Sequence, residues 1–479
     1  MCNIGVESRG MDGPEAKSGR RNTMSDLFQP IAPAQLFEWI FRELQDCDSI
    51  FGIPRRHFFV PSPDDPFRTS AFGQPLETPF GPASGPHTQM AQNIVAAWLC
   101  GARYIELKTV QTIDELDVSK PCIDMEDEGY NVEWSQELKV HQSFDEYLRA
   151  WVLIHVLHDL LDFPGDRPGV VFNLSVGYNL EGIRQPNVQW YLDQVQDCSA
   201  YRQVMVDEIA RFHPAAKDLD IPDRMSDNVT LSTMHGCPPG EIGSICEYLL
   251  GERGLHTYVK CNPTLLGPDG VRGILNDELG YREVTVPDEA FGHDLEYSDA
   301  VPLLQGLQKT AAERGLEFGV KLTNTLEVEN TRTVFDPAEK MMYLSGRPLH
   351  AISVNLASKL AETFTGTLPM SFCAGVDCFN AHHMLAGGMQ TVTACSDILK
   401  TGGYLRFLQY LENTREAFGE AGGIDEFILD YAGQEAVAGV PAATARRNLA
   451  RYAGQTRSDR LLKKDSFLTS RSKTRRALG

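Results

Sequence analysis

The sequence predicts an α/β protein built on a closed (β/α)8 TIM barrel. Three observations carry that reading. Short apolar runs alternate with stretches of helical periodicity, the pattern of a parallel sheet covered by helices. The runs number eight, which suits a closed barrel better than an open sheet. No G-x-G-x-x-G follows any of them, so the usual mark of an open dinucleotide-binding sheet is missing.

The elements follow in order. Residues 1–23 are polar and glycine-rich and read as a disordered or mis-assigned start. Residues 24–77 read as an N-terminal helical extension, with Leu36, Ile40 and Leu44 at helical spacing and a proline-rich loop from Pro61 to Pro66. The barrel is expected over residues 78–416. Its strands are Thr78–Ser84, Tyr104–Val110, Gly169–Val176, Asn228–Thr233, His256–Asn262, Phe318–Asn324, Pro369–Ala374 and Thr391–Cys395. Helical patterns such as Gln89–Cys100, Phe144–Leu161, Gly240–Leu250 and Ala300–Arg314 lie between them. The connections Gln111–Gln142 and Leu326–Gly346 are long and follow strands, so they belong to the face where barrel chemistry occurs and read as lids or partner surfaces. Residues 417–479 read as a helical and basic tail or linker; from Arg446 onward the only acids are Asp459 and Asp465.

Bulk properties narrow the function. The chain is 42% hydrophobic and 23% charged, ordinary for a globular protein, and its net charge of -21 argues against nucleic acid or an anionic membrane as the main partner. No apolar run is long enough for a membrane span, and the first residues lack the apolar stretch of a secretory signal. A cytoplasmic setting with reduced thiols is expected for the 11 cysteines. There is no C-x-x-C pair, so this chain alone is expected to carry no iron–sulfur cluster. No H-E-x-x-H or tight Cys/His spacing suggests a metal site, and His382 and His383 are adjacent, which projects them in different directions from a helix.

Chemistry-bearing residues gather at strand ends. The first strand runs into Ala83-Ser84-Gly85-Pro86-His87, small enough for a flat ring or phosphate to approach the backbone. Three strands close on lysine: Lys108, Lys260 and Lys321. Asn173, Asn179, Asn262 and Asn324 offer both donors and acceptors, as a heterocycle with alternating C=O and N–H groups requires, or serve as caps of strand ends. The loop after the fourth strand carries Ser232, His235 and Cys237, a hydroxyl, an imidazole and a thiol, any of which could transfer a proton. A helix start after Cys237 is expected to lower its pKa. Gly375 and Cys395-Ser396 follow strands seven and eight, the usual place of a phosphate cradle in such barrels.

These residues resemble a known family. Thr-Pro-Phe-Gly-Pro-Ala-Ser-Gly, Glu-Leu-Lys-Thr-Val, Val-Lys-Cys-Asn-Pro, Thr-Asn-Thr, Ala-Gly-Val-Asp and Ala-Cys-Ser resemble the FMN barrels of dihydroorotate and dihydropyrimidine dehydrogenases, over about Thr78 to Leu411. Longer strings are similar to the selenate reductase subunit family of the YgfK type: Ser-Ile-Phe-Gly-Ile-Pro, Gly-Pro-His-Thr-Gln, Ser-Val-Gly-Tyr-Asn-Leu-Glu-Gly-Ile and Leu-Ser-Thr-Met-His-Gly-Cys-Pro-Pro. The resemblance implies bound FMN, with Ala83, Ser84, Lys108, Lys260, Gly375, Cys395 and Ser396 around it. It implies Asn179, Asn324 and Thr325 on the substrate. It also implies a partner or further domains carrying iron–sulfur clusters and FAD/NAD(P)H. The dehydrogenases read Asn-Leu-Ser-Cys-Pro where this chain reads Asn173-Leu174-Ser175-Val176, so the nearest thiol in a comparable loop is Cys237.

The expectation is therefore a flavin-dependent oxidoreductase that acts on a C=C or C=N bond of a small purine- or pyrimidine-like ring, in purine catabolism or selenate reduction. Proton transfer is expected from Cys237, then His235, then Ser232. A class I aldolase using Lys321 as a Schiff-base amine, or a barrel that scaffolds a redox complex, are the alternatives. A homo-oligomer is compatible with either.

Overall fold

The computed structural model describes residues 28–113, 122–125, 136–232, 236–331 and 335–464. The expectations for residues 1–23, for His235 and for the last basic residues lie outside these. Eight strands form one sheet: β1 Phe80–Pro82, β2 Tyr104–Glu106, β3 Val171–Val176, β4 Asn228–Leu231, β5 His256–Cys261, β6 Phe318–Leu322, β7 Met370–Phe372 and β8 Thr391–Ala394. Each pairs in parallel with its chain neighbour from β2 to β8, and β8 pairs with β1. Arg103 N donates to Phe80 O at 2.8 Å, so β1 also meets the edge of β2. A Cβ on Gly81 would stand 1.6 Å from Tyr104 O, so this last contact of the ring requires a glycine. The protein is a (β/α)8 barrel, with its strands where the eight apolar runs predict them.

The strands read as continuous apolar runs because both faces are covered. All six residues of β3 are buried. The helix Val140–Leu160 is buried around most of its circumference, because helices Pro186–Gln196 and Ser199–Ile209 pack against it. At the N-terminal end Arg103 is fully buried and ion-paired with Glu77, and Glu77 also accepts from Gly169 N at 3.2 Å. This pair ties the starts of three strands together on the face that serves stability.

The stretch before the barrel carries the helix that the spacing of Leu36, Ile40 and Leu44 predicts, Pro33–Cys47. Its second half forms a hairpin, Thr69–Ala71 with Gln74–Leu76. Phe72 at its tip packs on Tyr258 at 5.2 Å and near Tyr104, closing the barrel floor. The two long connections meet each other: Leu326–Glu329 pairs antiparallel with Met341–Leu344, which pairs with Ile123–Asp124. They make a small cap sheet fed from the ends of β2 and β6. At the C-terminal end, helices Ile424–Ala432 and Pro441–Thr456 pack on each other, and Pro441–Thr456 packs on helix Arg347–Thr363. No helix among the described residues is long and apolar enough to cross a membrane.

Candidate active site

Inside the barrel a buried charge cluster sits below the mouth. Lys321 on β6 is 1% exposed and pairs with Glu106 on β2. Its ammonium also donates to Ser371 Oγ at 3.0 Å and Thr393 Oγ1 at 2.7 Å, and Thr393 Oγ1 donates to Glu106 at 2.7 Å. Burial by itself would raise the Glu106 carboxyl. The charges of Lys321 and Lys260 and the hydrogen bonds from Lys321 and Thr393 outweigh it and hold the group below its ordinary range. An ammonium donating three hydrogen bonds has no lone pair for a carbonyl, so this arrangement gives the Schiff-base alternative no support.

Above the cluster, Ser84 N donates to Glu106 Oε2 at 3.2 Å, which joins the turn after β1 to the charged centre. Ala83 N bonds Ala394 O at 2.8 Å, so the β1 turn lies against the end of β8. Lys260 is in register with Lys321. Lys108 is buried, and its charge reaches His87 and Cys395. Burial, with the nearby Lys108 charge, lowers His87 to about 4 against the raising effect of the Ala83 carbonyl, so its imidazole is neutral at pH 7. Cys373 and Cys395 also border this region. Burial raises both thiols, Cys395 to about 12, and keeps them protonated despite the lysines. Asn324 Nδ2 donates to Asn262 Oδ1 at 3.0 Å, and Thr325 follows half-buried.

The turns after β7 and β8 form a cradle. Gly375 has φ +58, and a Cβ there would meet Gly346 O at 2.5 Å and His350 Cβ at 2.8 Å. Only a glycine lets the turn after β7 approach Gly346 this closely. Gly346 precedes the helix Arg347–Thr363, whose N-terminus favours an anion. Ser345 and Ser396 place their hydroxyls 3.3 Å apart beside it. The β8 turn is braced from below by Asp397, which binds Arg406 at 2.8 and 3.0 Å and Lys400 at 3.2 Å. A small cradle of backbone, two hydroxyls and a helix start suits a phosphate, so the residues present fit the phosphate end of FMN.

The loop after β4 reaches the same face. Ser232 N bonds Val176 O at 2.9 Å. Cys237 lines a cavity of about 20 Å³ with Lys260, Cys261, Asn262 and Asp294. Its thiol is pushed up to about 11 by burial and by Glu241. The sequence expectation of a lowered pKa is thus reversed: desolvation and an acid in the first helical turn outweigh the helix start. Asn179 is exposed and caps the helix Leu180–Ile183 by accepting from Gly182 N at 2.8 Å. It lines a separate open pocket of about 460 Å³ with Glu181, Arg184 and Glu241. Asn173 is buried with both ends of its amide used by Asn228 and Thr230.

Sequence reading missed Glu106, Ser371 and Thr393. A signal was present: a glutamate and a lysine inside apolar strands must be paired to be buried at all. What sequence could not supply was that β2 and β6 bring the two face to face.

Comparison with known proteins places these features in a family. The profile of the family described as "Oxidoreductase YgfK, N-terminal TIM-barrel domain" matches residues 51–438. The YgfK proteins of Escherichia coli K12 and of Escherichia coli O157:H7 are each 44% identical over 427 residues, which is 85% of this chain and 40% of theirs. The chain thus spans about 40% of the length of the curated relatives it matches. A crystal structure of ligand-free type DHODH from Eimeria tenella is 15% identical with a TM-score of 0.46, over 82% of this chain and 97% of that one. On the profile match and the 44% identity, the chain belongs to the YgfK N-terminal TIM-barrel family.

Proposed function

We propose that this barrel is the FMN-dependent catalytic part of an oxidoreductase that acts on a C=C or C=N bond of a small nitrogen heterocycle. The observation that carries it is the convergence on one barrel face of two lysines, a buried Glu106–Lys321 pair and a glycine-and-serine cradle. FMN would supply hydride transfer and would gain negative charge on reduction. Gly375 and Ser396 would hold its phosphate. Ala83, Ser84 and Cys395 would border it, and Lys108 and Lys260 would offset the added charge. Glu106 pairs with Lys321 and holds the Ser84 backbone below the mouth. Asn324 and Thr325 would orient the substrate's polar edge. The loop with Cys237 would move the proton, and an iron–sulfur/FAD partner or domain would supply electrons.

Purified protein should show flavin absorbance, or take up FMN on reconstitution, and release FMN and not FAD on denaturation. Ser396→Ala should weaken that binding with the fold retained by circular dichroism, because it removes one hydroxyl of the cradle. A colourless protein that cannot be loaded with FMN would sink the proposal. Lys108→Met should keep the flavin and slow its reduction, costing about 2–4 kcal/mol of transition-state stabilisation. Unchanged stopped-flow kinetics of flavin reduction would remove Lys108 from this role.

A further inference from the structure

The loop after β4 is tied to two other connections by a group of side chains outside the mouth. Gly236, just before Cys237, has φ +84. Its N–H donates to Asp294 Oδ1 at 3.0 Å. The other oxygen of Asp294 accepts from Thr264 Oγ1 at 2.6 Å, in the turn directly after β5 and Asn262. The Asp294 side chain is 1% exposed, so this carboxylate is a built-in bracket and not a surface contact. His293 lies within 3.8 Å of where a Gly236 Cβ would be. Its Nε2 meets Glu327 Oε2 at 3.1 Å, and Glu327 stands on the cap sheet. Three connections, after β4, β5 and β6, therefore converge on two consecutive residues.

We propose that Asp294 is a positioning residue for the Cys237 loop, and that the His293–Glu327 pair couples this position to the cap sheet. The proposal rests on the functional reading only in giving that loop a proton to deliver. The physical argument is local. Gly236 directly precedes Cys237, and a glycine at positive φ has little conformational preference of its own. Without a fixed acceptor its N–H would not define where the next side chain stands. Asp294 supplies that acceptor from a buried place that is itself fixed by Thr264. The cavity that Cys237 shares with Lys260, Asn262 and Asp294 is about the size of one water, so a shift of the loop would open or close it.

The test reads the loop directly. Iodoacetamide labelling of Cys237 in the native protein is compared with labelling of Cys47, which is exposed and remote in sequence. Asp294→Ala should raise the Cys237/Cys47 labelling ratio about tenfold, the effect of losing one buried anchoring hydrogen bond. Asp294→Asn should fall between, because its amide oxygen can still accept from Gly236. Glu327→Ala should raise the ratio about threefold through His293 alone. Labelling from neutral to alkaline pH separates the two ways of gaining reactivity. Looser access raises the rate at every pH, whereas a changed thiol pKa moves the curve along the pH axis, and the proposal requires the first. A folded Asp294→Ala protein with the parent's ratio overturns it. If that variant does not fold, Thr264→Val, which removes the hydroxyl that donates to Asp294, takes its place, and an unchanged ratio there overturns it equally. No flavin or substrate enters this experiment, so its result stands apart from the success or failure of the FMN reading.

Discussion

Cys237→Ser should slow substrate turnover by about 10²–10⁴-fold, the usual contribution of a general acid, while flavin content and reduction by dithionite remain normal. Val176 stands where the dehydrogenases that the sequence resembles read cysteine, and it has no proton to give. Cys237 is the loop thiol of the cavity that Lys260, Cys261 and Asn262 also line. Burial and Glu241 push it up to about 11, so it is protonated throughout the neutral range. That suits a donor of protons and excludes a standing thiolate nucleophile. The sign for pH follows: donation is lost only as pH rises through about 11, so Cys237 adds no limb to the rate profile between mild acid and mild alkali. A Cys237→Ser enzyme at the parent rate would move the assignment to His235, tested by His235→Gln, or to Ser232, tested by Ser232→Ala. If none of the three matters, the loop is structural.

Glu106→Gln should destabilise the fold by about 3–5 kcal/mol, because it leaves the Lys321 ammonium buried without its counter-charge. The pair is 1% and 4% exposed, so solvent screening offers little relief. Adding Lys321→Met to Glu106→Gln should recover part of the loss, since removing both charges costs less than stranding one. The pH dependence has a definite direction. The folded carboxyl lies below its ordinary value of 4.5, so its contribution is present above that value and fades as pH falls through the folded pKa. The difference between parent and variant should therefore shrink in acid. Urea unfolding at neutral and acid pH measures both effects. A loss under about 1 kcal/mol, the scale of an exposed pair, would show that the cluster is not the buried anchor described above.

Much of the fold was legible because its signals are local. Eight apolar runs and the helical stretches between them follow from short-range periodicity, and closure limits how eight such units can be arranged. The cradle glycine Gly375 and the strand-end lysines were legible for the same reason: their positions relative to a strand end are fixed by chain order. The hairpin beneath the barrel was not. Its strands are three residues each, too short to alternate visibly, and Phe72 reads as a loop residue until Tyr104 and Tyr258 are beside it. The cap sheet was not legible either, because Ile123–Asp124 pairs with Tyr343–Leu344, far away along the chain.

The sequence by itself determined the barrel, the residue types at each strand end and, through long specific motifs, the family. Tertiary structure decided which of those residues meet and in what electrical state. Lys321, offered by sequence as an amine nucleophile, is held as a charged partner of Glu106, because a buried ammonium is stable only when its protons and charge are satisfied. Cys237, offered as a lowered thiol, is raised, because its burial and Glu241 count for more than the helix start that follows it. Asn179 is spent on a helix cap. Periodicity and spacing act along the chain, whereas desolvation and charge pairing depend on distances between residues far apart in it, and only the folded barrel sets those distances.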